Sequence, residues 1–145
     1  MHYVSAIFVL LIGSALSISY DSTAMAQELN CEAPATQIEM TSCARLNWEV
    51  ADAQLNAAWD EALAIAQDED AFLETSGGDN RPAFVDTLRN AQRAWISFRD
   101  SACEFRGFQA RGGTMEAMLV NQCLGELTRD RTKQLQDIIQ EMGMQ

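Results

Sequence analysis

The sequence predicts an all-α fold, an antiparallel three-helix bundle stapled by two disulfides. Three long segments carry apolar residues at three- and four-residue spacing, which is the pattern of a helix with one buried face. Glycine-containing stretches separate these segments. No segment alternates apolar and polar residues as a strand would. Four cysteines in a small domain are enough for two disulfides.

The N-terminus has the features of a secretion signal. Residues 3–18 are apolar and uncharged, a run shorter than the roughly 20 residues of a spanning helix. Ala24-Met25-Ala26 then supplies a small-x-small cleavage pattern. We expect a signal peptide at residues 1–26 and a mature domain at residues 27–145. Because no Lys or Arg precedes the apolar run, an uncleaved membrane anchor is the alternative. We expect no lipid attachment at Cys31, since Asn30 before it is not small.

The predicted first helix starts at Thr36 and ends near Ala66. Thr36 and Glu39 have the spacing of a capping box, and small and apolar residues then recur along one face. The polar residues 68–81, which contain Gly77-Gly78, are predicted to form an acidic loop.

The predicted second helix begins at Pro82, which suits a first helical turn. Its apolar residues alternate at spacings of four and three, and we expect this stripe to face the core. The stripe consists of Phe84, Leu88, Ala91, Trp95, Phe98, Ala102 and Phe105.

The predicted third helix follows Gly112-Gly113, with Thr114 as its cap and Glu116 in its first turn. Its apolar stripe is interrupted once, by Arg131. The stripe consists of Val120, Leu124, Leu127, Leu135, Ile138 and Met142.

The four cysteines are expected near one end of the bundle. Up-down-up connectivity brings Cys43, Cys103 and Cys123 together there, and the segment that holds Cys31 can fold back onto the same end. Four cysteines allow three pairings. We favour Cys31–Cys43 with Cys103–Cys123, and the other two pairings remain open.

Residue composition argues against an enzyme. The only histidine, His2, lies in the leader, so the mature domain has no Ser-His-Asp or Cys-His system. No C-x-x-C pair is present, and we expect neither a metal nor a cofactor. We expect Asp52, Asp100 and the arginines beside the apolar stripes, such as Arg99, to form a structural ion-pair network rather than a catalytic pair.

Charge points to a cationic protein partner. Asp21 is the only acidic residue within residues 1–26, so the mature domain has 20 acidic and 10 basic residues and a net charge of −10. Such a domain repels nucleic acid and anionic membranes. Residues 68–79 do not fit an EF-hand, because its sixth and twelfth positions are Leu73 and Asp79. They are interpreted as a solvated acidic loop, or as one that contacts a partner.

Four blocks of residues, taken in order, resemble the LprI-type lysozyme inhibitor domain over residues 31–135. They are Cys31 with Thr36-Gln37-x-Glu39-Met40-x-x-Cys43-Ala44; Ala51-Asp52-x-x-Leu55-Asn56-x-x-Trp59; Ala91-Gln92-Arg93-Ala94-Trp95-Ile96-x-Phe98-Arg99-Asp100-x-x-Cys103; and Gly112-Gly113-Thr114 with Cys123-Leu124-x-x-Leu127-Thr128-x-x-Arg131.

The resemblance implies an exported, periplasmic or secreted helical domain with two disulfides that blocks a lysozyme. It supplies no inhibitory residues, so the partner-binding residues are predicted from charge alone: Asp68, Glu69, Asp70 and Glu74. We expect an acidic surface to steer the domain to a cationic lysozyme and a loop to cover the enzyme's cleft. The alternative is a periplasmic adaptor with another partner, held by an apolar patch.

Overall fold

A computed structural model describes residues 29–143, so the predicted signal peptide lies outside the described residues. Within these residues the chain forms three α-helices: α1 (Gln37–Ser76), α2 (Phe84–Gly107) and α3 (Glu116–Met142). A single 3-10 turn, Phe108–Ala110, follows α2. The prediction of an all-α three-helix bundle is confirmed. Within residues 29–143, no helix combines the length and the apolar character needed to cross a bilayer.

The start of α1 is fixed by the predicted capping box. The backbone N–H of Glu39 donates to the Thr36 hydroxyl at 3.2 Å, and the Glu39 carboxylate accepts from the N–H groups of Thr36 and Ala35 at 2.9 and 2.7 Å. These contacts satisfy donors that a helix N-terminus leaves free. The two backbone hydrogen bonds also lower the pKa of Glu39.

The end of α1 was predicted wrongly. The helix continues ten residues past Ala66 and ends at Gly77, whose φ of 99° is left-handed. Residues 67–76 contain no glycine or proline, and Leu73 among them is partly buried. Helix propensity and this burial therefore extend the helix through the predicted acidic loop.

The core lies between α1 and α3, which pack more extensively with each other than either does with α2. One core cluster contains Leu55, Ala58, Ala62 and Leu135, and the half-buried Trp59 packs against it. Trp59 therefore contributes to the core rather than to the exposed surface. A second cluster contains Cys103, Cys123 and Leu124, with Trp48 and Val120 against them.

The expected disulfide pairing is confirmed. Cys31 bonds to Cys43 and Cys103 bonds to Cys123, with Cα atoms 5.4 and 5.3 Å apart. The first bond ties the N-terminal segment to α1, and the second ties the end of α2 to the start of α3. Both lie at one end of the bundle, here called the disulfide pole. The opposite end, where α1 ends and α2 begins, is called the distal pole.

Two further predictions about α2 and α3 were wrong. Phe98 and Phe105 are 60% and 75% exposed, because the buried side of α2 is the one that carries Arg99, Cys103 and Gly107. Each residue along a helix turns by about 100°, which places Phe98 on the flank of its neighbour Arg99. Thr114 does not cap α3. Instead, the carboxylate of Glu116 in the first turn of α3 accepts from the backbone N–H of Gly112 at 2.7 Å.

Candidate protein-binding surface

Acidic residues are concentrated on α1. Residues 46–80 contain no Lys or Arg and nine carboxylates. These are Glu49, Asp52, Asp60, Glu61, Asp68, Glu69, Asp70, Glu74 and Asp79. All ten basic residues lie at Arg45 or from Arg81 onward. Eight of the nine lie on α1, where Glu49 and Asp52 pair with Arg45 and Arg99. Asp79 lies in the turn that follows the helix at the distal pole.

Three of the four predicted partner-binding residues have uncompensated carboxylates. Asp68 and Glu74 are exposed and Glu69 is half-buried, and none of them forms a salt bridge within residues 29–143. They lie near the C-terminal end of α1, where the helix dipole is negative and the last turn has no basic residue.

Asp70 has a different environment from the other three. Its two carboxylate oxygens accept from the backbone N–H groups of Phe84 and Val85, at 2.7 and 3.1 Å. These are the first residues of α2, whose N-cap residue Ala83 provides no side-chain hydrogen bond. Asp70 therefore caps α2 from α1 and holds the two helices together at the distal pole.

Asp79 stabilises the turn that joins α1 to α2. Its carboxylate accepts from the backbone N–H of Arg81 at 2.8 Å and from the Arg81 Nε at 2.6 Å. The side-chain hydrogen bond from Arg81, with the backbone bond, lowers the pKa of Asp79. Asp79 is thus already paired, unlike Asp68 and Glu74.

An apolar cleft of about 490 Å³ opens at the distal pole. The small, buried residues Ala62 and Ala66 of α1 line it. Its walls also include Leu73 of α1, Phe84, Leu88 and Ala91 of α2, and Ile138 and Met142 of α3, with Arg81 and Arg131 among the polar residues. The cleft and the three free carboxylates share one end of the molecule.

The predicted ion-pair network lies in the middle of the bundle and joins all three helices. Arg99 of α2 is buried; its Nη1 lies 3.6 Å from an Asp52 oxygen of α1 and 3.5 Å from the Thr128 hydroxyl of α3. Its Nε donates to Asp100 at 2.9 Å, and its guanidinium stacks 5.0 Å from the Trp95 ring centroid. The expectation of a structural network is confirmed.

Arg131 occupies a neighbouring position on α3. Its Nε donates to Gln92 of α2 at 3.0 Å, and its guanidinium lies 6.0 Å from the Trp95 ring. Partial burial lowers the pKa of Arg131. These contacts explain why a charged residue interrupts the apolar stripe of α3.

Sequence reasoning missed Phe72, which is 65% exposed in the last turns of α1. Phe72 lies in the segment that the sequence predicts as a loop, so its four-residue spacing from Asp68 did not indicate a shared helix face. Had the helix been extended to Gly77, the four-residue spacing would have placed the two side chains on one face.

Across residues 29–143, no group of three or more His, Cys, Asp or Glu side chains is arranged to hold a metal.

The model of the family described as "Lysozyme inhibitor LprI" matches residues 30–135. This chain belongs to the LprI lysozyme inhibitor family. The LprI chain is 41% identical over 122 residues to an uncharacterised protein of Rhizobium meliloti (strain 1021), covering 82% of this chain and 85% of that protein. The family description denotes inhibitor proteins, which act by binding to another protein.

The LprI fold is also similar to a solved structure. The crystal structure of a DUF1311 family protein from Pseudomonas putida KT2440 has a TM-score of 0.58 with this chain at 22% identity. The match covers 72% of this chain and 94% of that one. At that identity the likeness concerns the fold.

Proposed function

We propose that this LprI family member is an exported inhibitor that binds a cationic lysozyme through the acidic end of α1 and covers the enzyme's substrate cleft. The observation that carries the proposal is the run of nine carboxylates in residues 46–80 with no Lys or Arg among them. Of these, Asp68, Glu69 and Glu74 lie near the end of α1 and form no salt bridge within residues 29–143. Two disulfides in a small domain are typical of an exported protein and support a periplasmic or secreted location.

The electrostatic argument has two parts. A net charge of −10 on residues 27–145 attracts a cationic enzyme over a distance of one Debye length, about 8 Å at physiological salt. Asp68, Glu69 and Glu74, which have no ion-pair partner within residues 29–143, then offer specific contacts without the breaking of an ion pair in this part of the chain. Steering raises the association rate, and the local contacts determine orientation.

The test measures lysis of bacterial cell walls by hen lysozyme in the presence of excess purified protein, together with the Kd by calorimetry. Inhibition should weaken sharply between low and physiological salt, because exposed charges are screened. Undiminished lysis at saturating protein, with no heat of binding, would refute the proposal.

A matched pair of variants separates local from total charge. The triple change Asp68→Asn, Glu69→Gln and Glu74→Gln should raise the Kd about tenfold or more. A control triple at exposed acids elsewhere, Glu104→Gln, Glu126→Gln and Asp130→Asn, removes the same charge and should change the Kd by less than about threefold. Equal effects would show that only net charge matters.

The alternative is a periplasmic adaptor that binds a different protein through an apolar surface. The exposed Phe98 and Phe105 on α2 support it, because they lie two helical turns apart on one face. Binding of that kind changes little with salt. A partner whose Kd is independent of salt, and which Phe98→Ala releases, would favour the adaptor over the inhibitor.

A further inference from the structure

The exposed Phe72 is flanked by free carboxylates. Asp68 and Glu69 precede it by four and three residues on α1, which places all three side chains on adjoining parts of one helix face. The Phe72 side chain is 65% exposed, and neither carboxylate is paired within residues 29–143. Phe72 therefore presents an exposed aromatic ring beside two carboxylates on the same helix face.

The end of α1 extends beyond the end of α3, as the positions and lengths of the two helices indicate. Helices α1 and α3 begin side by side, since Gln37 Nε2 lies 3.5 Å from the sulfur of Met118. The α1 helix has 40 residues and α3 has 27, which correspond to lengths of about 60 and 40 Å. The last turns of α1, which contain Phe72, therefore extend past the end of α3.

This end of α1 is held firmly. Asp70 caps α2, and Leu73 next to Phe72 lines the apolar cleft. The carbonyl oxygen of Phe72 accepts from the hydroxyls of Thr75 and Ser76, which satisfies a backbone acceptor at the helix end. A ring presented on such a fixed element loses little conformational entropy when it binds.

The other two exposed phenylalanines lie in a different electrostatic setting. Phe105 packs edge-on against Phe108 at 6.1 Å, and the Arg111 guanidinium stacks on Phe108 at 4.3 Å. The residues one turn from Phe98 are uncharged. Among the phenylalanines exposed within residues 29–143, only Phe72 has carboxylates three and four residues away on its helix, which suits a positively charged partner.

We infer that Phe72 is the aromatic anchor of the lysozyme-binding interface. Its ring enters an apolar slot on the cationic enzyme, and Lys or Arg side chains bordering that slot pair with Asp68 and Glu69. This inference rests on the proposed function and specifies the contact within it. Aromatic residues at the centre of an interface commonly carry most of its binding energy, and ion pairs around them set orientation.

The test compares Kd values for hen lysozyme at two salt concentrations, using the full mature chain. Phe72→Ala should raise the Kd about 30-fold while leaving the salt dependence unchanged, because no charge is removed. Phe72→Tyr keeps a ring of similar shape and should retain most of the affinity. Phe98→Ala is the matched control, with 60% exposure on another helix, and should bind like the wild type.

The results distinguish a failure of the Phe72 anchor from a failure of the proposed inhibitor function. If the wild type binds lysozyme and Phe72→Ala binds equally well, the anchor is refuted while the inhibitor function stands. If Phe98→Ala weakens binding as much as Phe72→Ala, a specific role of the α1 end is also refuted. If the wild type does not bind lysozyme at all, the proposed function and the inference fall together. Circular dichroism of each variant checks that the exposed substitutions leave the helices intact.

Discussion

Arg99 and Asp52 join α2 to α1, with the Arg99 Nη1 3.6 Å from an Asp52 carboxylate oxygen. The same guanidinium contacts Asp100, Thr128 of α3 and the Trp95 ring. Because α2 packs less extensively than the other two helices, a single side chain that reaches both of them has a large share in fixing its position.

We therefore expect Arg99→Ala to lower the free energy of unfolding by about 2 kcal/mol. The loss stays below that of a fully buried ion pair, since Asp52 and Asp100 are 42% and 56% exposed and regain water. Urea unfolding measures the change. The control, Arg45→Ala, removes the exposed pair with Glu49 and should cost under about 0.5 kcal/mol. Equal losses would contradict a bridging role.

Asp70→Ala should destabilise the protein by about 1 kcal/mol, because the first two N–H groups of α2 lose their acceptor. Asp70→Asn keeps an acceptor oxygen and should cost less. Asp68→Ala removes an acid from the negative end of α1 and should cost nothing or stabilise slightly. Thermal unfolding distinguishes these variants, and a neutral Asp70→Ala would refute the cap.

Gly107 permits the close approach of α2 and α3. A Cβ atom there would lie 2.5 Å from Val120 Cγ2, so Gly107→Ala should destabilise by about 1–3 kcal/mol. Combining it with Val120→Ala frees the space, and the double variant should lose less than the sum of the single losses, by at least about 0.5 kcal/mol. Additive losses measured by urea unfolding would contradict steric coupling.

Replacing either disulfide by a pair of alanines should lower stability by about 3 kcal/mol through the entropy of the unfolded chain, since the loops span 12 and 20 residues. The Cys103/Cys123 pair should cost more than the Cys31/Cys43 pair, because its sulfurs lie in a core cluster and Cys31 is exposed. Melting temperatures under oxidising conditions test the order. Free thiols in the folded, exported protein would contradict both bonds.

Acid should weaken the start of α1. Hydrogen bonds from the backbone N–H groups of Ala35 and Thr36 lower the pKa of Glu39 in the folded protein. As the pH falls below about 4, the unfolded chain binds a proton at this glutamate before the folded chain does, so its contribution to stability is lost. The stability of Glu39→Gln should therefore fall less than that of the wild type between pH 6 and pH 3. Parallel pH profiles would refute the prediction.

The sequence by itself favoured one disulfide pairing without deciding it, and it determined the three helices, the capping box at Thr36 and the family. These features depend on residues close together in the chain or on short-period patterns, which can be recognised without coordinates. The candidate site was predicted only in part. The charge of residues 68–74 was recognised, whereas their helical arrangement and the exposed Phe72 were not.

Only the tertiary structure decided how the acidic residues differ and which aromatic rings remain exposed. Asp70 caps a helix that begins 14 residues later, a contact that depends on how α1 and α2 meet. The α2 stripe repeats every 3.5 residues, while the helix turns every 3.6, and packing chose the Arg99 and Cys103 side as the core. Both outcomes arise from long-range packing, which no local pattern specifies, and this packing left Phe98 and Phe105 in solvent.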